Sequence, residues 1–188
     1  MRTYLPLTAS MRPSLTHSNT MKKIFLMLCL TIATMQAWAT DKGTRVSANV
    51  GLLYERGMDA TLSVEHETRY HNVWEYFATA YLKWDDCPSC GHICPETFWR
   101  NYNTWGVGVA YKPLVVRTRN TNGRVRFGAS VGSDTHKFLG TLHLGYEHDY
   151  VLRNGVILYW QVKEDVVIGG KDLFRTGVAV GVKLPLNY

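Results

Sequence analysis

Trp74-Glu75-Tyr76-Phe77-Ala78-Thr79-Ala80-Tyr81-Leu82-Lys83-Trp84 reads with a period of two. Trp74, Tyr76, Ala78, Ala80, Leu82 and Trp84 fall on one face, and Glu75, Thr79 and Lys83 on the other. Alternation of this kind marks a β-strand whose two faces meet different surroundings. The apolar face begins and ends on tryptophan, and the two rings stand ten residues apart. A strand tilted across a bilayer needs ~9–11 residues, and amphipathic rings at both ends of an apolar band are what two membrane interfaces select.

Seven further segments repeat the pattern. Before this stretch, Val46, Ala48, Val50 and Leu52 alternate with Ser47, Asn49 and Gly51, and Ala60, Leu62 and Val64 with Thr61, Ser63 and Glu65. After it, Trp105, Val107, Val109 and Tyr111 alternate with Thr104, Gly106, Gly108 and Ala110. Val125, Phe127, Ala129 and Val131 then face away from Arg126, Gly128, Ser130 and Gly132. Phe138, Leu142, Leu144, Tyr146 and Tyr150 oppose Thr141, His143, Gly145, Glu147 and Asp149. Val156, Leu158, Trp160 and Val162 oppose Tyr159, Gln161 and Lys163. In the last segment, Val178, Val180, Val182, Leu184 and Leu186 oppose Gly177, Ala179, Gly181 and Lys183. Thr121-Asn122-Gly123 and Arg153-Asn154-Gly155 supply turn chemistry between segments.

Eight segments is an even number, as a single-chain bacterial barrel requires. A secreted β-sandwich is the competing architecture. The polar face favours the barrel: it is rich in Gly, Ser and Thr and carries charges such as Arg126 and Glu147. A narrow lumen needs small residues and internal ion pairs, whereas a sandwich core does not take them. The fold expected is therefore all-β, an eight-stranded antiparallel up-and-down transmembrane barrel of outer-membrane type. With both barrel termini on the periplasmic side, 70–72, 117–123 and 151–155 become periplasmic turns, and 85–101 and 164–175 become the longer outward loops.

The ends of the chain agree with export. Met21-Lys22-Lys23 is a basic start, 24–35 is an apolar run, and Ala37-Trp38-Ala39 is a small-residue site at which Ala37 and Ala39 direct cleavage. The run is too short for a spanning helix, which needs ~20 residues; a short membrane anchor is the alternative reading. The expected organisation is a non-native extension over 1–20, a signal peptide over 21–39 and a barrel domain over 40–188. Cys29, after bulky Leu28 inside the apolar run, is read as part of the leader. At the other end every second residue back from Tyr188 is apolar: Leu186, Leu184, Val182 and Val180. That pattern is similar to the C-terminal signal read by the machinery that inserts outer-membrane barrels. Pro185 interrupts the ladder near the strand's end.

Four of the 21 basic residues belong to the leader, which has no acids, so the barrel domain carries an excess of only two over 15 acids. The pI of about 9.2 is largely a property of the leader, and no direct nucleic-acid binding is expected from it.

Two stretches near the end carry a family pattern. Val162-Lys-Glu-Asp-Val-Val-Ile-Gly-Gly170 is followed by Phe174-Arg-Thr-Gly-Val-Ala-Val-Gly-Val-Lys-Leu184. They resemble the closing segment of the TraO proteins of conjugative transposons: a charged-apolar-Gly stretch, a loop with an aromatic, and a Gly-x-Gly-x-Lys strand. The strand–turn–strand from Tyr146 to Tyr159 is similar to the segment that precedes it there. The resemblance covers roughly 99–188, with Leu184 where the family has an aromatic, and the cysteine loop lies outside the family pattern. It implies a non-enzymatic outer-membrane component of a conjugative transfer apparatus, with no catalytic residues and no cofactor. The partners it implies are outer-membrane lipids, the insertion machinery and other conjugation proteins.

Three constellations carry possible chemistry. Gly128-Ala129-Ser130-Val131-Gly132 matches the Gly-x-Ser-x-Gly elbow of α/β-hydrolases. The elbow needs a strand-to-helix turn, whereas Ser130 falls inside an alternating strand and reads as a lumen serine. Cys87, Cys90 and Cys94, with His92, form the most unusual loop. In an oxidising compartment one disulfide plus one thiol is expected; a crowded zinc site or redox activity are the alternatives. His143, Glu147 and Asp149 share a lumen face while His148 points outward. They read as a charge ladder neutralising Arg126, Lys163 or Lys183, the alternative being an acid–base site. A small barrel enzyme acting on lipid or peptide, or a structural or adhesin-like barrel unrelated to transfer, are the competing functions.

Overall fold

The computed structural model describes residues 43–68, 70–84, 86, 90, 91 and 102–186. The expected leader, Cys87, Cys94 and Tyr188 lie outside the described residues. Nine strand segments follow in order: β1 Thr44–Leu53, β2 Gly57–Glu67, β3 Val73–Lys83, β4 Tyr102–Lys112, β5 Leu114–Arg117, β6 Thr121–Ser133, β7 Phe138–Val151, β8 Ile157–Ile168 and β9 Phe174–Pro185.

The nine segments make eight barrel strands. Pro113 lies between β4 and β5, and both pair antiparallel with β6, so they are two parts of one wall strand. Proline has no N–H to give to a ladder, and the register shifts just beyond it, between Leu114 and Val116. Every other strand pairs with its sequence neighbour, and β1 pairs with β9 from Arg45↔Pro185 to Leu53↔Gly177. The sheet is thus a closed antiparallel up-and-down barrel with no free edge. Closure pairs the wall's backbone groups within the sheet on both sides of each long strand, the condition for backbone to stand in hydrocarbon.

The alternation read from the sequence holds around the wall. Val50, Leu62, Val107, Val131, Leu142, Leu144, Val178 and Val180 face outward and are exposed. Two belts of rings flank this band. At the end holding the β2–β3 turn are Trp74, Tyr76, Phe127, Tyr150 and Trp160; at the far end are Trp105, Phe138 and Phe174. Trp84 falls one residue past β3. The C-terminal pattern is realised as β9, with Val180 and Leu184 outward and exposed and Leu186 exposed just beyond it.

Three connections differ from the expected ones. Thr121-Asn122-Gly123 opens β6, and the turn itself is 118–120, closed by the Thr118 N–H donating to the Thr121 carbonyl at 2.9 Å. Val156 precedes β8 and closes the Arg153-Asn154-Gly155 turn by accepting from the Leu152 N–H at 2.8 Å, with Gly155 at φ 80°. The stretch 164–175 is mostly wall: β8 runs to Ile168, β9 starts at Phe174, and only 169–173 is loop. In sequence it resembles a loop because Glu164 and Asp165 put charge on both faces of β8. The asymmetry between the two ends therefore rests on 84–101. A further far-end turn is held by Asp134, whose carboxylate accepts from the Lys137 and His136 N–H groups at 2.6 and 3.0 Å. These bonds keep its pKa below the ordinary carboxylate value.

Candidate functional site

The lumen has two storeys. In the lower one, toward the β2–β3 turn, eight charges from six strands neutralise one another. Lys112 Nζ lies 2.6 Å from Glu65, 2.7 Å from Glu147 and 3.3 Å from Glu75. Lys183 Nζ lies 2.5 Å from Glu147, 3.0 Å from Glu65 and 3.1 Å from Asp149. Arg126 Nε donates to Glu75 at 2.7 Å, and Arg124 pairs with Asp149. Each of the eight is at most 4% exposed. Burying an ion costs several kcal/mol unless partners and hydrogen bonds replace its water. Here four cations and four carboxylates share one network, so the charges balance. Tyr159 lies under Lys183, with Nζ 4.7 Å from the ring centre, and its hydroxyl accepts from Asn49 at 2.9 Å. The bundle fills the lumen from wall to wall.

Phe77 separates the storeys: the Arg126 guanidinium lies 4.5 Å from its ring centre, and the His143 ring meets it edge-on at 5.0 Å. This needs a wall without side chains nearby. A Cβ on Gly108 would stand 2.7 Å from Phe77 and 2.5 Å from Ser130.

In the upper storey, Ser130 on β6, His143 on β7 and Asp165 on β8 form one row across three neighbouring strands. Ser130 Oγ lies 2.7 Å from His143 Nε2, and His143 Nδ1 lies 2.6 Å from Asp165 Oδ1. A carboxylate only accepts, so Nδ1 carries the proton; in the neutral ring Nε2 then accepts from the serine hydroxyl. Lys163 pairs with Asp59 and stands 3.7 Å from Asp165. Arg175 Nη1 donates to Thr104 at 3.1 Å while its guanidinium stacks 3.8 Å over Tyr81. Its buried Nε and Nη2 have no hydrogen-bond partner among the described residues. A cavity of about 20 Å³ lies between these groups, room for water. Leu53, Tyr81 and Tyr102 pack above it, and Lys83 reaches Asp172 of the 169–173 loop at 2.6 Å.

The residues expected to act together are thus divided. Glu147 and Asp149 join the lower network, with Lys183 as expected, but His143 stands apart from them with Ser130 and Asp165. Arg126 and Lys163 neutralise Glu75 and Asp59 instead, carboxylates that reach them across the lumen from strands that do not pair with theirs. Ser130 sits within the β6 ladder, opposite Gly108 and Thr141, and makes no elbow. His148 faces outward as read, stacked on Trp160 with ring centres 5.7 Å apart. Cys90 is exposed, and the pairing expected within its loop lies outside the described residues. Lys112, Glu65, Glu75 and Asp165 belong to these sites without any sequence motif to mark them. Their parity was the available signal for the first three.

No family model matches the chain, and no curated protein matches it. Solved structures do. The outer membrane protein Ail of Yersinia pestis, in a phospholipid bilayer nanodisc, aligns over 77% of this chain and 100% of its own at 7% identity, with a TM-score of 0.51. Neisserial surface protein A aligns over 76% and 94% at 13% identity and 0.44. A de novo designed transmembrane β-barrel aligns over 77% and 98% at 13% identity and 0.45. The likeness to Ail shows the fold, an outer-membrane-type eight-stranded barrel.

Proposed function

We propose that this barrel resides in the bacterial outer membrane as a non-conducting envelope component, and that it serves a conjugative transfer apparatus. One observation carries the first half: the outside is apolar between two belts of rings, while the inside is filled by a neutral, buried ion-pair network. An aqueous channel needs a continuous polar bore, and eight mutually bonded charges occupy that bore. Its work is then done at its surfaces, by the lipid-facing wall and the connections at either end. Outer-membrane lipids cover the wall, and the insertion machinery reads the outward residues of β9. The second half rests on the resemblance of 162–184 to the TraO proteins, which makes other transfer proteins the partners and asks for no catalysis.

Two measurements test the halves separately. The purified barrel in a planar bilayer should give no ion-conducting steps, and steps in the unmodified protein would refute the closed lumen. Deleting the gene in a donor strain should abolish mating while growth continues; unchanged transfer would remove the conjugative role and leave the barrel.

A further inference from the structure

The upper storey holds a constellation that the transfer role does not use. We propose that Ser130, His143 and Asp165 are a nucleophile, its general base and the base's orienting group, and that the upper lumen hydrolyses narrow acyl esters admitted from the far end. Geometry carries this. The 2.7 and 2.6 Å contacts reproduce the order hydroxyl–imidazole–carboxylate that activates a serine. All three groups are buried, where a hydroxyl beside an imidazole has no competing bulk water. The row borders the same cavity as Arg175, whose buried Nε–H and Nη2–H have no partner among the described residues. Unpartnered donors beside a nucleophile are what a developing oxyanion needs.

The step balances without any further reagent. Ser130 Oγ bonds to the ester carbonyl carbon as its proton passes to His143 Nε2, and the carbonyl electron pair moves to oxygen, facing Arg175. The pair returns, the bond to the alkoxide oxygen breaks, and Nε2 gives its proton to the leaving alcohol. Water then attacks the acyl carbon with Nε2 taking its proton, and that proton returns to Oγ as the acid leaves. The backbone N–H groups around Ser130 belong to the ladder, so stabilisation of the oxyanion rests on the guanidinium. That favours esters over amides, whose leaving groups are poorer. A cavity of about 20 Å³ is too small for an ester as it stands, so entry requires the Lys83–Asp172 clasp and the rings beneath it to part.

The folded barrel in detergent micelles is treated with diisopropyl fluorophosphate. Oγ–phosphorus bond formation with loss of fluoride, the hydroxyl proton passing through Nε2, would leave an adduct on the peptide holding Ser130. Adduct on Ser130 is expected in the parent and absent in Ser130→Ala. Labelling should fall by ~100-fold or more in His143→Gln, which retains a hydrogen-bonding side chain, and should quicken severalfold in Asp172→Ala, where the clasp is gone. Variants are compared only where heat-modifiable migration shows a folded barrel. If His143→Gln does not fold, Asp165→Asn serves in its place with the same expected loss. No adduct in either the parent or Asp172→Ala overturns the proposal, as does labelling indifferent to loss of the histidine or the aspartate.

Discussion

Lys112 Nζ on β4 and Glu147 Oε2 on β7 meet at 2.7 Å inside the lumen, between strands that do not pair with each other. The bond crosses the bore, and with Lys183 and Glu65 it ties opposite walls together. Removing one member leaves a buried charge without its counterpart. Glu147→Ala or Lys112→Ala should therefore cost about 3–5 kcal/mol, read as a lowered denaturant midpoint of the lipid-reconstituted barrel. The double variant should lose less than the sum of the two, and strict additivity would show that the pair is not coupled.

The outward face gives a depth-dependent prediction. Leu144 lies midway along β7, and Phe138 is its first residue at the far belt. Leu144→Arg should destabilise the inserted barrel by about 2–4 kcal/mol, and Phe138→Arg by no more than about 1 kcal/mol. Equal costs in reversible unfolding from bilayers would mean that Leu144 does not sit at the bilayer midplane.

Loss of residues 186–188 should impair insertion while leaving secretion intact. β9 ends at Pro185, so the truncation keeps the β1–β9 pairing from Arg45↔Pro185 onward and removes exposed Leu186 with one terminal bond, from its N–H to the Thr44 carbonyl at 3.1 Å. Fractionation should find the truncated protein exported but poorly recovered in the outer membrane. Normal recovery would show that the terminal residues are not read.

The cysteine loop should be dispensable for the wall. Lys83 and Tyr102, which flank it, are direct ladder partners, so strand pairing already brings its ends together. Replacing Cys87, Cys90 and Cys94 with Ser should leave a folded, inserted barrel. Mass spectrometry of unreduced parent protein should find one disulfide and one thiol in the loop. Three thiols with bound zinc would make it a metal site.

The wall is readable because its outer face is nearly uniform: valine, leucine, alanine and rings fill most alternate positions of β3, β4 and β9. The inner face obeys no such rule. Phe77, Tyr81 and Tyr102 point inward, since the upper lumen is closed by packed rings, and only their parity with Glu75 or Thr104 betrays it. Partnerships were harder still. His143 lies opposite Asp165 because β7 and β8 pair in one particular register. A slip of that register by one residue would turn the carboxylate out of the lumen, and alternation alone carries no register. Asp165 was also hidden in a stretch with charges on both faces, which reads as loop.

The composition of the lower network bears on how the chain reaches its final state. Glu65 comes from β2 and Lys183 from β9, on opposite flanks of the β1 strand that closes the sheet. Until β1 pairs with β9, Glu65 and Lys183 stand near opposite ends of an open sheet and cannot meet. Such an intermediate would hold carboxylates half-compensated against hydrocarbon, and would be a poor place to pause. Closure of the β1–β9 seam and neutralisation of the interior are one event, so assembly into the membrane should be all-or-none. The charges that block the bore would also act as a check that the seam has closed.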